Sequence, residues 1–252
     1  MLNQQTYEKL SWIHLPAMAR EFRRQSEDPS CSDLTFDERF GMAVDAEWSA
    51  RQNKVLTNLM KRAQFRQNAC LEDIDYSSER KLNRDMMREL STGEWVRTGR
   101  DLILTGATGT GKSYLACALG NSACRHGMKV RYFRITRLLT EMAIARGDGT
   151  YNKLMKDMKK IQLLILDDFG LTGVDLLAAR DLLEIIEERH EERSTLFASQ
   201  LPVAMWHDIF QDSTVADAVL DRLIHGALRI ELGGASMREK RARKEVTSLP
   251  GM

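Results

Sequence analysis

Apolar positions change rhythm near residue 100. Before it they recur at helical spacing and no run reads as a strand. Helices are expected over 7–25, 37–68 and 78–90, parted by polar breaks such as Glu27-Asp28-Pro29-Ser30. After it, short apolar runs alternate with helical stretches, which predicts strands over 102–105, 130–135, 163–166, 195–198 and 228–231. Strands that are almost continuously apolar and separated by helices form a parallel sheet covered on both faces. Gly127 stands where a C-cap belongs, after a helix expected over 113–126, and Arg146-Gly147-Asp148-Gly149 reads as a flexible loop. The pattern predicts a small helical domain over 1–70 and an α/β domain over 71–252.

Length and composition narrow the classes. With 252 residues and 43% hydrophobic content, the chain can bury one large core, or a medium one with an appendage. A net charge of +1 gives no global attraction to nucleic acid, so any such contact must come from local patches. Cys31, Cys70, Cys117 and Cys124 are far apart, without zinc-like spacing, and read as reduced thiols of a cytoplasmic protein. The opening Met-Leu-Asn-Gln-Gln-Thr lacks a signal pattern, and no apolar run has the length of a membrane span, so no membrane partner is expected.

The chemistry is concentrated where the first expected strand ends. Leu102-Ile103-Leu104 runs into Gly106-Ala107-Thr108-Gly109-Thr110-Gly111-Lys112-Ser113, which is G-x-x-x-x-G-K-S in its proper context. Glycines let the backbone turn tightly and aim successive N–H groups at a polyphosphate, and the helix that follows adds its positive end. Together with Tyr114, this stretch is the expected ATP-binding segment, and it makes the fold a P-loop NTPase. Lys112 is expected to reach the β- and γ-phosphates, and the Ser113 hydroxyl to ligate Mg²⁺.

Three later segments point at the same place. The apolar run 163–166 ends in Asp167-Asp168, and ligands of open α/β sheets sit beyond the carboxyl ends of strands. Asp167 is expected to hold Mg²⁺ through water, and Asp168 either to polarise the attacking water or to cap the next turn. Ser199-Gln200 follows the strand over 195–198; it either presents a polar group to the γ-phosphate or makes an ordinary turn before Pro202. Arg222 lies on the amphipathic segment 217–223. It reads as a surface partner of Asp221 or Glu231, or as an arginine finger for a neighbouring subunit.

A basic face is also visible. No acidic residue lies between Glu47 and Glu72, while Arg51, Lys54, Lys61, Arg62 and Arg66 share one helical face and Leu56, Leu59, Met60 and Ala63 another. The readings are a solvated face or a helix that tracks a phosphate backbone. Phosphate contacts carry no sequence information, and an aromatic content of 7% offers no obvious stacking platform for single strands, so on the second reading the expected partner is duplex DNA without strong base preference. A second basic cluster, Arg238, Lys240, Arg241, Arg243 and Lys244, occupies the C-terminal tail.

The chain resembles the IstB-like transposition helper ATPases, relatives of the DnaC-type helicase loaders within the AAA+ class. The resemblance is carried by Leu15-Pro16-Ala17-Met18-Ala19, Leu71-Glu72-Asp73-Ile74-Asp75-Tyr76, Gly106 to Ser113 and Leu166-Asp167-Asp168-Phe169-Gly170. It continues in Phe197-Ala198-Ser199-Gln200-Leu201-Pro202, in Asp217 to Leu223, and in Gly234-Ala235-Ser236-Met237-Arg238. It implies an ATP- and Mg²⁺-dependent ATPase that forms a ring or helical homo-oligomer on duplex DNA and assists a partner transposase in target selection. It also implies that Gln200 is a sensor, that Arg222 is the finger and that Arg238 is a second arginine sensor. Two features depart from the usual AAA+ pattern: Asp-Asp stands where Asp-Glu is typical, and only 30 residues follow Arg222, too few for a helical lid. The alternatives are a DnaC-like helicase loader, a small-molecule kinase on the same loop, and a nucleotide-gated binding module with negligible turnover.

Overall fold

A computed structural model describes residues 2–237 and divides the chain into two compact units, Met1–Asn58 and Leu59–Met252. Arg238 and the rest of the basic tail lie outside the described residues. Segment 59–70, grouped with the N-terminal helices by periodicity, falls in the second unit.

The first unit is helical. The helix expected over 7–25 is two, α1 (Leu2–Trp12) and α2 (Pro16–Glu27), broken at His14, whose φ of 62° is left-handed. Pro16 explains the break, because a proline disfavours helical backbone in the residue before it and itself suits a first helical turn. The third helix, α3 (Phe36–Ala63), starts with a capping box: Glu38 N donates to Thr35 Oγ1, and Thr35 N donates to Glu38 Oε2. From α3 the Glu47 carboxylate accepts from Ala17 N and Met18 N at 2.9 and 3.1 Å, capping α2. Burial pushes that carboxyl up, but Arg51 and the two N–H donors outweigh burial and hold it below the usual range.

The α3 helix ends at Ala63, not at Asn68, and Gln64 turns the chain with φ of 53°. Phe65 then packs over α6 (Lys112–Arg125) at Gly120, where a Cβ would meet its ring at 2.5 Å. The helix expected over 78–90 is shorter: α4 (Arg84–Ser91), capped by the Asn83 side chain, followed by the single turn α5 (Glu94–Arg97).

All five expected strands are present: β1 (Leu102–Gly106), β2 (Val130–Arg134), β3 (Leu163–Phe169), β4 (Ser194–Ser199) and β5 (Leu228–Leu232). They form one parallel sheet in the order β2-β3-β4-β1-β5. The fold is of the expected α/β class, a parallel sheet with helices and a helical N-terminal stretch. Between β2 and β3 lie α7 (Ile135–Asp148) and α8 (Tyr151–Lys159); α9 (Leu176–Arg189) precedes β4 and α10 (Ser213–Ile224) precedes β5. The flexible loop expected at 146–149 is the last turn of α7, stopped by Gly149 in a left-handed cap.

The core of the second unit is built from Ile103, Leu164, Leu166 and Phe197 of the sheet, Leu138 and Met142 of α7, Leu182 and Ile185 of α9, and Val219 and Leu223 of α10. Phe169, Phe197 and Trp206 pack ring to ring at its centre. At the amino end of the sheet, buried Arg189 donates to Thr195 Oγ1 and to the carbonyls of Met158, Ile161 and Ser194. All four cysteines are free thiols, and burial pushes Cys117 up to about 11 and Cys124 up to about 12. Among the described residues no helix is long and apolar enough to cross a membrane.

Candidate nucleotide-binding site

The carboxyl ends of β1, β3 and β4 open into a cleft of about 340 Å³, a suitable size for a small-molecule ligand. Its wall includes Thr108, Gly109, Gly111, Lys112, Ser113 and Tyr114 from the phosphate loop, and Asp168 and Gln200 from β3 and the end of β4. The sequence reading placed these together. The loop's backbone justifies its glycines: Gly106, Gly109 and Gly111 have φ of 146°, 84° and 95°. Added Cβ atoms would collide with Leu232 O, Ser236 Oγ and Arg80 Nη2 respectively. Lys112 is nearly buried, and its Nζ donates to Gly106 O and Ala107 O at 2.6 and 2.8 Å. Thr110 Oγ1 donates to Ala107 O, which stiffens the turn from within.

Gln200 reaches the loop directly, its Oε1 accepting from Thr108 Oγ1 at 2.7 Å. Ser199 does not face the cleft; its hydroxyl donates to Phe169 O and is wholly buried. Tyr114 lines the cleft and bonds with the backbone of Cys70.

The two carboxylates are treated differently. β3 runs through both of them, with an irregularity between Leu166 and Phe169, and Asp168 has a left-handed φ of 61°. That twist sends the two side chains into different surroundings. Asp167 is 1% exposed; its Oδ2 accepts from Tyr132 Oη at 2.6 Å and its Oδ1 from Asp168 N at 2.9 Å. Burial, and after it the Asp167 carboxylate, pushes the Tyr132 phenol well above the tyrosine range, so Tyr132 stays a donor. Asp168 lines the cleft, with Arg134 Nε at 3.5 Å and Arg66 Nη1 at 3.8 Å. Arg66 is equally far from Asp167.

Arg66 is thus brought to the cleft and not to a helical face. Of the other basic residues, Arg51 is held by Glu47 Oε1 and His14 O, while Lys54, Lys61 and Arg62 are exposed. Arg222 does not line the cleft. Its ion pair is with Glu187 of α9 at 2.9 Å, not with Asp221 or Glu231.

Sequence reasoning missed Arg80 and Arg134, assigned Arg66 to a basic helical face, and met Met237 only within the resemblance. Arg80 is 5% exposed and joins Asp75 O to Thr110 O, both at 2.9 Å, while its buried Nε has no hydrogen-bond partner among the described residues. Met237 N donates to Gly109 O, so the segment after β5 lies along the phosphate loop. Asp73-Ile74-Asp75 and Gly234 to Met237, both part of the resemblance, hinted at this wall.

The IstB-like ATP binding protein family matches residues 8–245. An insertion sequence ATP-binding protein of Sinorhizobium fredii (strain NBRC 101917 / NGR234), y4pL, is 43% identical over 97% of this chain and 100% of its own. The IS1162 ATP-binding protein of Pseudomonas fluorescens is 42% identical over 80% of this chain and 88% of its own. The solved structure of the DnaC helicase loader has the same fold, with a TM-score of 0.52 and 20% identity over 66% of this chain and 97% of its own.

Proposed function

The chain belongs to the IstB-like ATP-binding protein family of insertion sequences, and on that premise we propose an ATPase that assembles with further copies on duplex DNA and assists a partner transposase. One observation carries the reading: the phosphate loop, Asp168 and Gln200 converge on a single cleft. The loop fits a polyphosphate, since its three glycines take left-handed backbone that other residues resist.

In this reading, Lys112 exchanges the two loop carbonyls for β- and γ-phosphate oxygens, trading neutral acceptors for charged ones. Ser113 would hold Mg²⁺ directly and Asp167, buried behind the cleft and bonded to Tyr132 Oη and Asp168 N, would do so only through water; the ion would supply charge neutralisation on those phosphates. Asp168 orients the attacking water and takes its proton, while Arg66 and Arg134 hold its carboxylate in place. Gln200, fixed by Thr108, faces the γ-phosphate as a sensor. Arg222 lies away from its own cleft, which suits a finger offered to a neighbouring subunit. For DNA, the exposed Lys61 and Arg62 form the proposed contact. Charge reversal at both is expected to weaken duplex binding and flatten its salt dependence by about two counterions.

The test is steady-state ATP hydrolysis across protein concentration, with duplex, with single-stranded DNA and without DNA. The expected result is turnover that rises faster than protein concentration and is raised by duplex. Stimulation by single strands alone would favour the helicase-loader reading. A rate per subunit independent of both concentration and DNA would overturn shared sites completed by Arg222.

A further inference from the structure

Arg66 stands outside the phosphate loop and the acidic strand, yet its side chain lines the cleft with Lys112, Asp168 and Gln200. Its Nη1 lies 3.8 Å from Asp167 Oδ2 and equally far from Asp168 Oδ2, so one guanidinium faces both acids. Neither contact is short enough for a hydrogen bond, and the guanidinium makes none with the other described residues. Ion pairs of that length, on a side chain 33% exposed, hold it weakly. A planar fork of five N–H donors, always charged, therefore lines the cleft with its hydrogen bonds unspent.

The backbone behind that fork is held firmly. Phe65 seats its ring over Gly120 of α6, Asn121 Nδ2 donates to Ala69 O at 2.9 Å, and Tyr114 Oη bonds with Cys70. Just before it, Arg131 Nη1 donates to Arg62 O at 2.9 Å. Because α6 begins with Lys112 and Ser113, the chain around Arg66 is fastened to the helix on which the phosphate loop ends. The side chain can turn within the cleft, but its base stays there. Arg134 Nε, 3.5 Å from Asp168, keeps that acid company when Arg66 turns.

We propose that Arg66 binds the γ-phosphate of ATP within its own subunit and gives the cleft most of its preference for ATP over ADP. The proposal rests on the ATPase reading of the cleft. The terminal phosphate is the most negative group of the nucleotide, and in that reading it arrives beside Asp168. Like charges placed so close repel unless a cation stands between them. The Arg66 fork meets two phosphate oxygens with one edge and keeps Asp168 near the other, exchanging long ion pairs for short charge-assisted hydrogen bonds. ADP offers that fork no partner. The rival role is a stand-in for Mg²⁺, a guanidinium that neutralises the acids and gives way when the metal comes. The two roles differ in sign: removing a ligand weakens ATP binding, whereas removing a stand-in strengthens it when Mg²⁺ is present.

The test is equilibrium binding of ribose-labelled fluorescent ATP and ADP to the full chain at low protein concentration, with Mg²⁺ and again in EDTA. Arg66→Ala should weaken ATP binding by roughly 10- to 100-fold in both buffers, the range for hydrogen bonds to a charged group, and change ADP binding less than about 2-fold. Arg66→Lys, which keeps the charge and loses the fork, should recover part of the loss. Arg66→Gln keeps most of the stem and serves as the second neutral variant if Arg66→Ala folds poorly; its discrimination should fall in the same way. Equal losses for ATP and ADP, or no loss for either, would overturn the proposal. So would tighter ATP binding by the neutral variants in Mg²⁺ alone, the mark of a stand-in for the metal. A parent chain that binds neither nucleotide would remove the ATPase reading and this proposal together. A parent that prefers ATP, with variants that prefer it equally, would remove the role of Arg66 alone.

Discussion

The two ends of the sheet treat buried charge in opposite ways. At the amino end, Arg189 is 1% exposed and makes four hydrogen bonds, and Asp101 beside it accepts from Thr195 N at 2.6 Å. At the carboxyl end, Arg80 keeps an Nε unbonded by the described residues, Lys112 rests on carbonyl oxygens, and Asp168 meets its arginines only at 3.5 and 3.8 Å. The first end is closed and serves stability. The second holds its charges loosely, in contacts that a more highly charged ligand can displace.

The largest expected effect lies at the closed end. Arg189→Met leaves several acceptors unpaired and should cost about 3–5 kcal/mol in denaturant unfolding, with nucleotide affinity of the folded fraction unchanged. A loss of affinity without a loss of stability would break the contrast. At the open end, Lys112→Ala should reduce ATP hydrolysis by roughly 10²–10³-fold while the melting temperature hardly moves. Next, Asp168→Asn should lower turnover by about 10²-fold and leave binding of a fluorescent ATP analogue intact, which separates the two roles of the acid pair.

The smallest effect concerns pH. Burial raises the Asp101 carboxyl from its ordinary 3.8 to about 7. An acid whose pKa is higher in the folded chain contributes stability that is complete at acid pH and is lost as pH rises through the folded value. Asp101→Asn keeps a neutral acceptor for Thr195 N. Melting curves should therefore coincide with the parent's near pH 4 and separate by about pH 8, the variant being the more stable. Equal pH profiles would mean that Asp101 ionises at no cost where it sits.

Much of the open end was legible in the sequence, because glycine spacing and apolar runs are local signals. Gly106 to Ser113 and the five strands follow from neighbours in the chain. The arginines around the cleft do not. Nothing in Gln64-Phe65-Arg66-Gln67-Asn68 stops a helix, and Arg66 reads as one more base on α3; it is the seating of Phe65 on Gly120 that pulls it to the cleft. The Arg222 partner was missed for the same reason, since Glu187 stands 35 residues earlier and meets it only once α9 and α10 pack. The break at His14, by contrast, was readable from Pro16.

Gly109 is not one of the fixed letters of the phosphate-loop motif, yet it is pinned by Ser236 and bonded by Met237 N. The loop and the residues after β5 are therefore one mechanical part assembled from opposite ends of the domain's sequence. Shortening the chain to Leu232 would spare every motif residue and still unseat the loop, so a cut there is an intervention on the nucleotide cleft and not a trimming of a tail.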